Sequence, residues 1–208
     1  MRVLVACENS GVVRDAFRRR GADAWSCDLD GIKPKGEFPE YHLFGDARTF
    51  LDNQWDLLIA HPPCTYLSSS GLHWNNRIPG RDKKTKAALV FVKEFMDAPI
   101  PRIAIENPIG RIGTAIRKAD QIVQPYQFGD DASKATCLWL KNLPLLTNTH
   151  TKAIPGRMVV HKGKIVERWA NQTDSGQNRL GPSETRAAQR SITYPGIANA
   201  MAHKWSEL

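Results

Sequence analysis

The chain has 208 residues, 41% of them hydrophobic and 24% charged, enough for one domain with a sizeable core and a small appendage. Its formal net charge is +8, from 29 Lys and Arg against 21 Asp and Glu, a surplus that suits a polyanionic partner. It holds no run of about 18 apolar residues, which excludes a transmembrane helix, and Cys7, Cys27, Cys64 and Cys137 form no Cys-x-x-Cys pair, which speaks against a zinc site or a disulfide framework and for a reducing cytoplasm.

Residues 3–6 predict a strand, not a signal peptide, because the apolar run is short and Glu8 follows it at once. Gly11 lies in the next loop. Residues 12–20 then have helical spacing, with Val12, Val13, Ala16 and Phe17 on one face and Gly21 as the stop. Residues 24–27 predict a second strand ending in Asp28-Leu29-Asp30. A βαβ unit with an acidic strand end can hold a ribose by its hydroxyls; Asp28 is the better placed, with Asp30 in reserve. Residues 31–44 have loop composition, and the Gly45-Asp46 step precedes a helix-like stretch at 48–54.

The apolar run at 55–59 predicts a buried strand, and Pro62-Pro63 must end it, because proline lacks the ladder N–H. Cys64 therefore sits on a stiff loop at a strand's carboxyl end, the edge where open α/β sheets bind ligands. Residues 66–81 are small and polar, and carry Trp74, Arg77 and Arg81. They suit a mobile loop that closes on a substrate and touches phosphate. A helix is expected over 83–97, with Ala87, Leu89, Val90, Val92, Phe95 and Met96 inward and the basic 83–86 turn outward. Residues 102–106 then repeat the earlier grammar: a short strand, Glu106 at its end, and an Asn107-Pro108 exit. If the two strands are neighbours, a thiol nucleophile and a carboxyl meet at one rim, a constellation suited to attack on a nitrogen heterocycle.

Downstream, 112–119 reads as a helix and 134–140 as a strand with Cys137 in the core. Residues 141–182 are punctuated by Pro144, Pro155-Gly156 and Lys162-Gly163-Lys164, with short strand-like pieces such as 158–160. A helix start is expected at Ser183-Glu184-Thr185-Arg186.

The Pro-Pro-Cys and Glu-Asn-Pro pair resembles the catalytic core of the DNA cytosine-C5 methyltransferases, in particular small, phage-type ones, over most of residues 1–140 and again at 184–202. The resemblance implies a Rossmann-like class I methyltransferase fold, α/β, with a largely parallel sheet flanked by helices and a small irregular lobe. It divides the chain into a catalytic domain, 1–140 plus 183–208, and a lobe at 141–182 in the place of the family's target-recognition region. It implies S-adenosylmethionine as cofactor, with Gly11 in its loop, Asp28 on the ribose, Asp46 on the adenine amino group, and Asn199 bracing the pocket or the Pro-Pro-Cys loop. The cofactor's carboxyl tail would lie over the amides of residues 8–11. Cys64 would attack C6 of the ring, and Glu106, protonated or sharing a proton, would bond N3. Arg77, Arg81 and Lys134 could lower the thiol's pKa, and these three with Pro63 and Thr136 would face the substrate.

The partner would be duplex DNA with its cytosine flipped out, or a free pyrimidine nucleotide such as dCMP, or the chain would bind DNA or nucleotide without turnover. Where amino-methylating enzymes place an aromatic residue, this chain has Cys64, and His61 stands where they have Asn or Asp. Pro195-Gly196-Ile197-Ala198-Asn199-Ala200-Met201-Ala202 resembles the family's closing helix. The sequence departs from the family in the single glycine of the 7–11 loop, in Lys134 and Thr136 standing for arginines, and in Ala198 standing for a glycine.

Overall fold

A computed structural model describes residues 1–29, 33–148, 153–183 and 185–208, without the side chain of Ala187. Asp30 and the Glu184 of the expected helix start lie outside the described residues. The chain begins with β1 (Arg2–Ala6), α1 (Val12–Arg18), β2 (Asp23–Asp28), β3 (His42–Phe44) and β4 (Leu57–Ala60). Then come α2 (Ser69–Leu72), α3 (Arg81–Met96), β5 (Arg102–Pro108), α4 (Arg111–Ala115), β6 (Gln121–Val123) and β7 (Thr136–Lys141). A hairpin of β8 (Arg157–His161) and β9 (Lys164–Arg168) precedes α5 (Arg186–Ser191) and α6 (Pro195–Trp205).

β1 to β7 form one mixed sheet in the order β3-β2-β1-β4-β5-β7-β6. Its first five strands are parallel, and β7 runs antiparallel between β5 and β6. The apolar runs of β1 and β4 are wholly buried because helices cover both faces of the sheet. Alternation sorts the side chains. Val3, Val5, Leu57, Ile59 and Leu138 pack with α1 and α6, where Phe17, Met201 and Trp205 are fully or almost fully buried. Leu4, Leu58, Ile103, Ile105 and Trp139 pack with α3 and α4 through Val92, Phe95 and Ile112. The connections leave β1 toward β2 on one side and β4 toward β5 on the other, so the order reverses between β1 and β4. That reversal opens a crevice at the strands' carboxyl ends.

Several local expectations change. The supposed loop at 31–44 contains β3, three residues paired with β2, too short to show a period. The helix expected at 48–54 is one 3-10 turn, Ala47–Phe50. α3 starts two residues before the expected 83 and buries only Thr85, Val92 and Phe95 fully; Val90 is 60% exposed because it lies off that stripe. The helix expected at 112–119 is the five-residue α4. Under α1, the buried Arg14 guanidinium bonds Asp15, Ser26 and the Lys35 carbonyl, and Asp15 accepts from the Glu37 amide. A buried charge pair with its donors satisfied ties residues 35–37 beneath the helix.

The β8–β9 hairpin turns at Lys162 and Gly163, both at positive φ (51° and 76°), the geometry of a type I′ turn. After it, Trp169 stacks on Tyr126 with ring centroids 4.1 Å apart, and Asn171 exchanges hydrogen bonds with the backbone of Ser133. The lobe is thereby fastened one residue before Lys134. Earlier, Leu146 is buried in the main core and shares two hydrogen bonds with Gln121. Among the described residues no helix is long and apolar enough to cross a membrane.

Candidate active site

The site is built where β4 and β5 end. β4 stops at Ala60, the His61 amide donates one last bond to Ala6, and Pro62 and Pro63 carry the chain out of the sheet. Pro63 is exposed and caps a 3-10 turn, Cys64–Tyr66, whose first residue is the half-buried Cys64. On β5, Glu106 is 7% exposed and Asn107 1%. The β4–β5 register pairs Ala60 with Ile105, so the next step sets His61 beside Glu106. Their side chains meet, with His61 Nδ1 3.1 Å from Glu106 Oε2.

The turn is held by three sets of bonds. Asn107 donates from Nδ2 to the Pro62 carbonyl at 2.7 Å. Beyond it, Ser68 bridges Gly110, and the Arg111 amide donates to the Leu67 carbonyl at 2.7 Å. Gly110 has to be glycine, because a Cβ there would lie 2.0 Å from the Leu67 carbonyl oxygen. From α3, Arg81 donates to the Thr65 carbonyl, with its guanidinium over the Tyr66 ring, and Thr85 donates to the Tyr66 carbonyl. The segment expected to be an open mobile loop is instead a series of short helical turns stitched to β5 and α3.

Electrostatics distinguish the two central groups. Burial pushes the Cys64 thiol up, with Glu106 adding to the effect, while the Lys134 and Arg190 charges pull against it. The net direction is up, so the resting group is a thiol. Burial also opposes ionisation of Glu106, but the His61 hydrogen bond and the Lys134 charge outweigh it and hold the carboxyl below its ordinary range. This corrects the expectation of a protonated Glu106: at neutral pH the resting group is a carboxylate. Lys134 Nζ donates to the Arg190 carbonyl at 2.9 Å, which brings the end of α5 to the site. Cys64, Glu106, His61, Lys134 and Arg190 thus share one neighbourhood at the rim.

Two members were not legible as site residues. In the sequence His61 serves only to separate this chain from amino-methylating enzymes. Its place beside Glu106 follows from strand register, which sequence spacing does not contain. Arg190 carried no motif. Of the other expected substrate residues, Arg77 is exposed over Trp74. Arg81 is occupied in bracing the turn. Thr136 is a correction: it is 3% exposed and its hydroxyl donates to the Lys134 carbonyl, because the β7 ladder turns it into the protein.

At the β1–β2–β3 rim, Gly11 caps α1 at φ +74°, and a Cβ there would meet Arg14 and the Lys35 carbonyl. The Gly45 amide donates to the Asp28 carbonyl, which brings the Gly45-Asp46 step beside the end of β2. Asp28 is half-buried and accepts from the Leu29 amide through Oδ1. Asp46 caps the Ala47–Phe50 turn and receives the Arg48 guanidinium, whose bonds hold its carboxyl low. Glu8 accepts from the Val13 and Arg14 amides at 2.7 and 3.2 Å, so a carboxylate of the chain itself already occupies the start of α1. Asn199 is a second correction. It is exposed and lines a dent with Arg19, Arg20 and His203 between α1 and α6. The brace on the Pro-Pro-Cys turn is Asn107.

No protein-family model matches the chain, and no curated protein is similar to it.

Proposed function

We propose that the protein transfers a methyl group from S-adenosylmethionine to C5 of cytosine in DNA through a covalent Cys64 adduct. One observation carries the reading: a thiol and an ionised carboxylate, each near the other, stand on adjoining strand ends beside the crevice between β1 and β4. The sheet order, with one antiparallel strand lodged between β5 and β6, also suits the class I methyltransferase fold.

The residues fit the cofactor in part. Asp28, half-exposed at the end of β2, has the chemistry to accept two ribose hydroxyls. Asp46 would have to share its carboxylate between Arg48 and an adenine amino group. When bound, S-adenosylmethionine would supply the methyl group as an electrophile.

The chain's own groups account for activating the ring. C5 of cytosine is a weak nucleophile until a thiolate adds at C6. Glu106 takes the Sγ proton as Sγ bonds to C6, with Lys134 and Arg190 favouring the anion. Glu106 then passes that proton to N3, where the ring's charge develops, and electron density reaches C5. After methylation Glu106 recovers the N3 proton, a base removes the C5 proton, and the C6–S bond breaks. A stacked base cannot reach this rim, so the cytosine would be flipped out.

The experiment is incubation with tritiated S-adenosylmethionine and duplex DNA, single-stranded DNA or dCMP. Label entering DNA at C5 of cytosine is the expected result. Faster label into dCMP would move the assignment to the free nucleotide, a reading favoured by the short lobe. No label in any substrate would end the methyltransferase reading.

A further inference from the structure

We propose that His61 is a positioning residue for this reaction: donating from Nδ1 to Oε2, it turns the Glu106 carboxylate so that Oε1 can take the Cys64 proton and pass it to the ring. The inference rests on the cytosine reading above.

The geometry leaves the imidazole little else to do. Both side chains are 8% exposed, and the Nδ1–Oε2 separation is 3.1 Å. A carboxylate can only accept, so the bond requires the hydrogen on Nδ1. His61 Nε2 is buried and has no partner among the described residues, so the Glu106 bond alone orients the ring. The backbone of residue 61 is pinned between its ladder bond to Ala6 and the prolines that follow, so the imidazole approaches Glu106 from a rigid support.

The charged and titratable groups that face the pair come from each neighbouring segment. They are Cys64 from the turn, Lys134 from the segment before β7, Cys137 from β7, and Arg190 from α5 through Cys64. Lys134 favours an anion at either Cys64 or Glu106, and Arg190 favours one at Cys64, so the cations by themselves do not place the charge on the carboxylate. The His61 bond reaches Glu106 alone. It therefore assigns the resting negative charge to the carboxylate and the proton to sulfur, the distribution from which Glu106 can act as the base. The step balances: S–H breaks as O–H forms, then O–H breaks as N3–H forms, with S–C6 made in the same sequence.

Two variants and three measurements test this. His61→Leu removes the donor, whereas His61→Asn keeps one near the position of Nδ1 without an ionisable ring. In the labelled-DNA assay, His61→Leu should lower kcat by about 100-fold, the scale of one acid–base contribution, with KM for DNA little changed, and His61→Asn should restore most of the loss. The acid limb of the pH–rate profile should move to higher pH in His61→Leu. Independently of turnover, carboxyl NMR on 13C-glutamate-labelled protein should show Glu106 titrating higher in His61→Leu than in the wild type, with His61→Asn between. Unchanged kcat in His61→Leu, or a Glu106 titration that ignores both substitutions, overturns the proposal. If His61→Leu does not fold, a His61→Asn protein with an unmoved Glu106 titration and a rate as low as that of Cys64→Ser overturns it as well. A wild type that labels no substrate defeats the cytosine reading instead, and the NMR titration still decides whether His61 sets the Glu106 carboxylate.

Discussion

Cys64 is the half-buried thiol of the rim, held on a turn that opens directly after two prolines. Cys64→Ser should abolish methyl incorporation while leaving S-adenosylhomocysteine affinity nearly unchanged by calorimetry, since in the proposed reaction the sulfur would touch the base and not the cofactor. Near-normal turnover of the serine variant would show that no covalent adduct is needed. Cys27 makes a different point about the same side chain. Buried on β2, its thiol is pushed up from an ordinary value of 9.0 to about 12, first by desolvation and then by Asp28, Asp46 and Glu8, with only a Cys7 backbone bond opposing. Cys7 shifts the same way. A raised folded value contributes stability that is complete below pH 9 and is lost as the pH climbs toward 12, because only the unfolded chain gives up the proton. Each such proton costs about 1.4 kcal/mol per pH unit inside that window. Urea unfolding at pH 8, 9 and 10 should therefore show a shallower alkaline fall for Cys27→Ala than for the wild type. Parallel slopes would mean the thiol is not buried as described.

The elements that form the candidate site are strand exits, and their accuracy depends on how one exit is fastened to the other. β4 and β5 leave the sheet side by side, and the Asn107 bond to Pro62 and the Ser68–Gly110 bridge join the two exits. Gly110 allows that approach. Gly110→Ala would place a Cβ 2.0 Å from a backbone oxygen, a clash that no side-chain rotation can relieve. It should cost about 1–3 kcal/mol in urea unfolding, the usual scale of forced overpacking, and depress methyl transfer further by separating Cys64 from Glu106. Gly113→Ala is the control three residues on. Among the described residues nothing lies within 4 Å of its would-be Cβ, and alanine is the better helix former, so stability should hold or rise. Equal losses in both variants would refute the stitching role.

Over the whole molecule, the +8 charge is the property that bears on a polyanionic partner. Affinity for duplex DNA should fall steeply with salt, because phosphate contacts release counterions. The structure changes which residues test this. Arg81 braces the Cys64 turn, so its replacement would confuse binding with folding. Arg77, Lys83 and Lys86 are exposed and free of that duty. Neutralising all three should weaken binding about equally for every sequence and flatten the salt slope. A salt slope unchanged by the triple substitution would place the phosphate contacts elsewhere, with the basic β8–β9 hairpin as the next surface to test.

The placement of Cys64 and Glu106 was legible in the sequence because its signals are local. Two apolar runs short enough for strands, each ended by a proline, place Cys64 and Glu106 at carboxyl ends whatever the sheet order. β1, α1 and β2 were legible for the same reason, their hydrophobic periods being complete within a few residues, whereas the final helix was expected from the family resemblance. Tertiary structure decided what depends on partners distant in the chain. Strand register set His61 beside Glu106 across 45 residues, where its hydrogen bond, with the Lys134 charge, holds the carboxyl below its ordinary range. Packing gave Asn107 the bracing role expected of Asn199 and turned Thr136 inward. The end of α5 brought Arg190 to Lys134 from 56 residues away. A side chain's period reveals which face it shares with its own element, whereas its protonation state and its hydrogen bonds are set by groups that only folding brings near it.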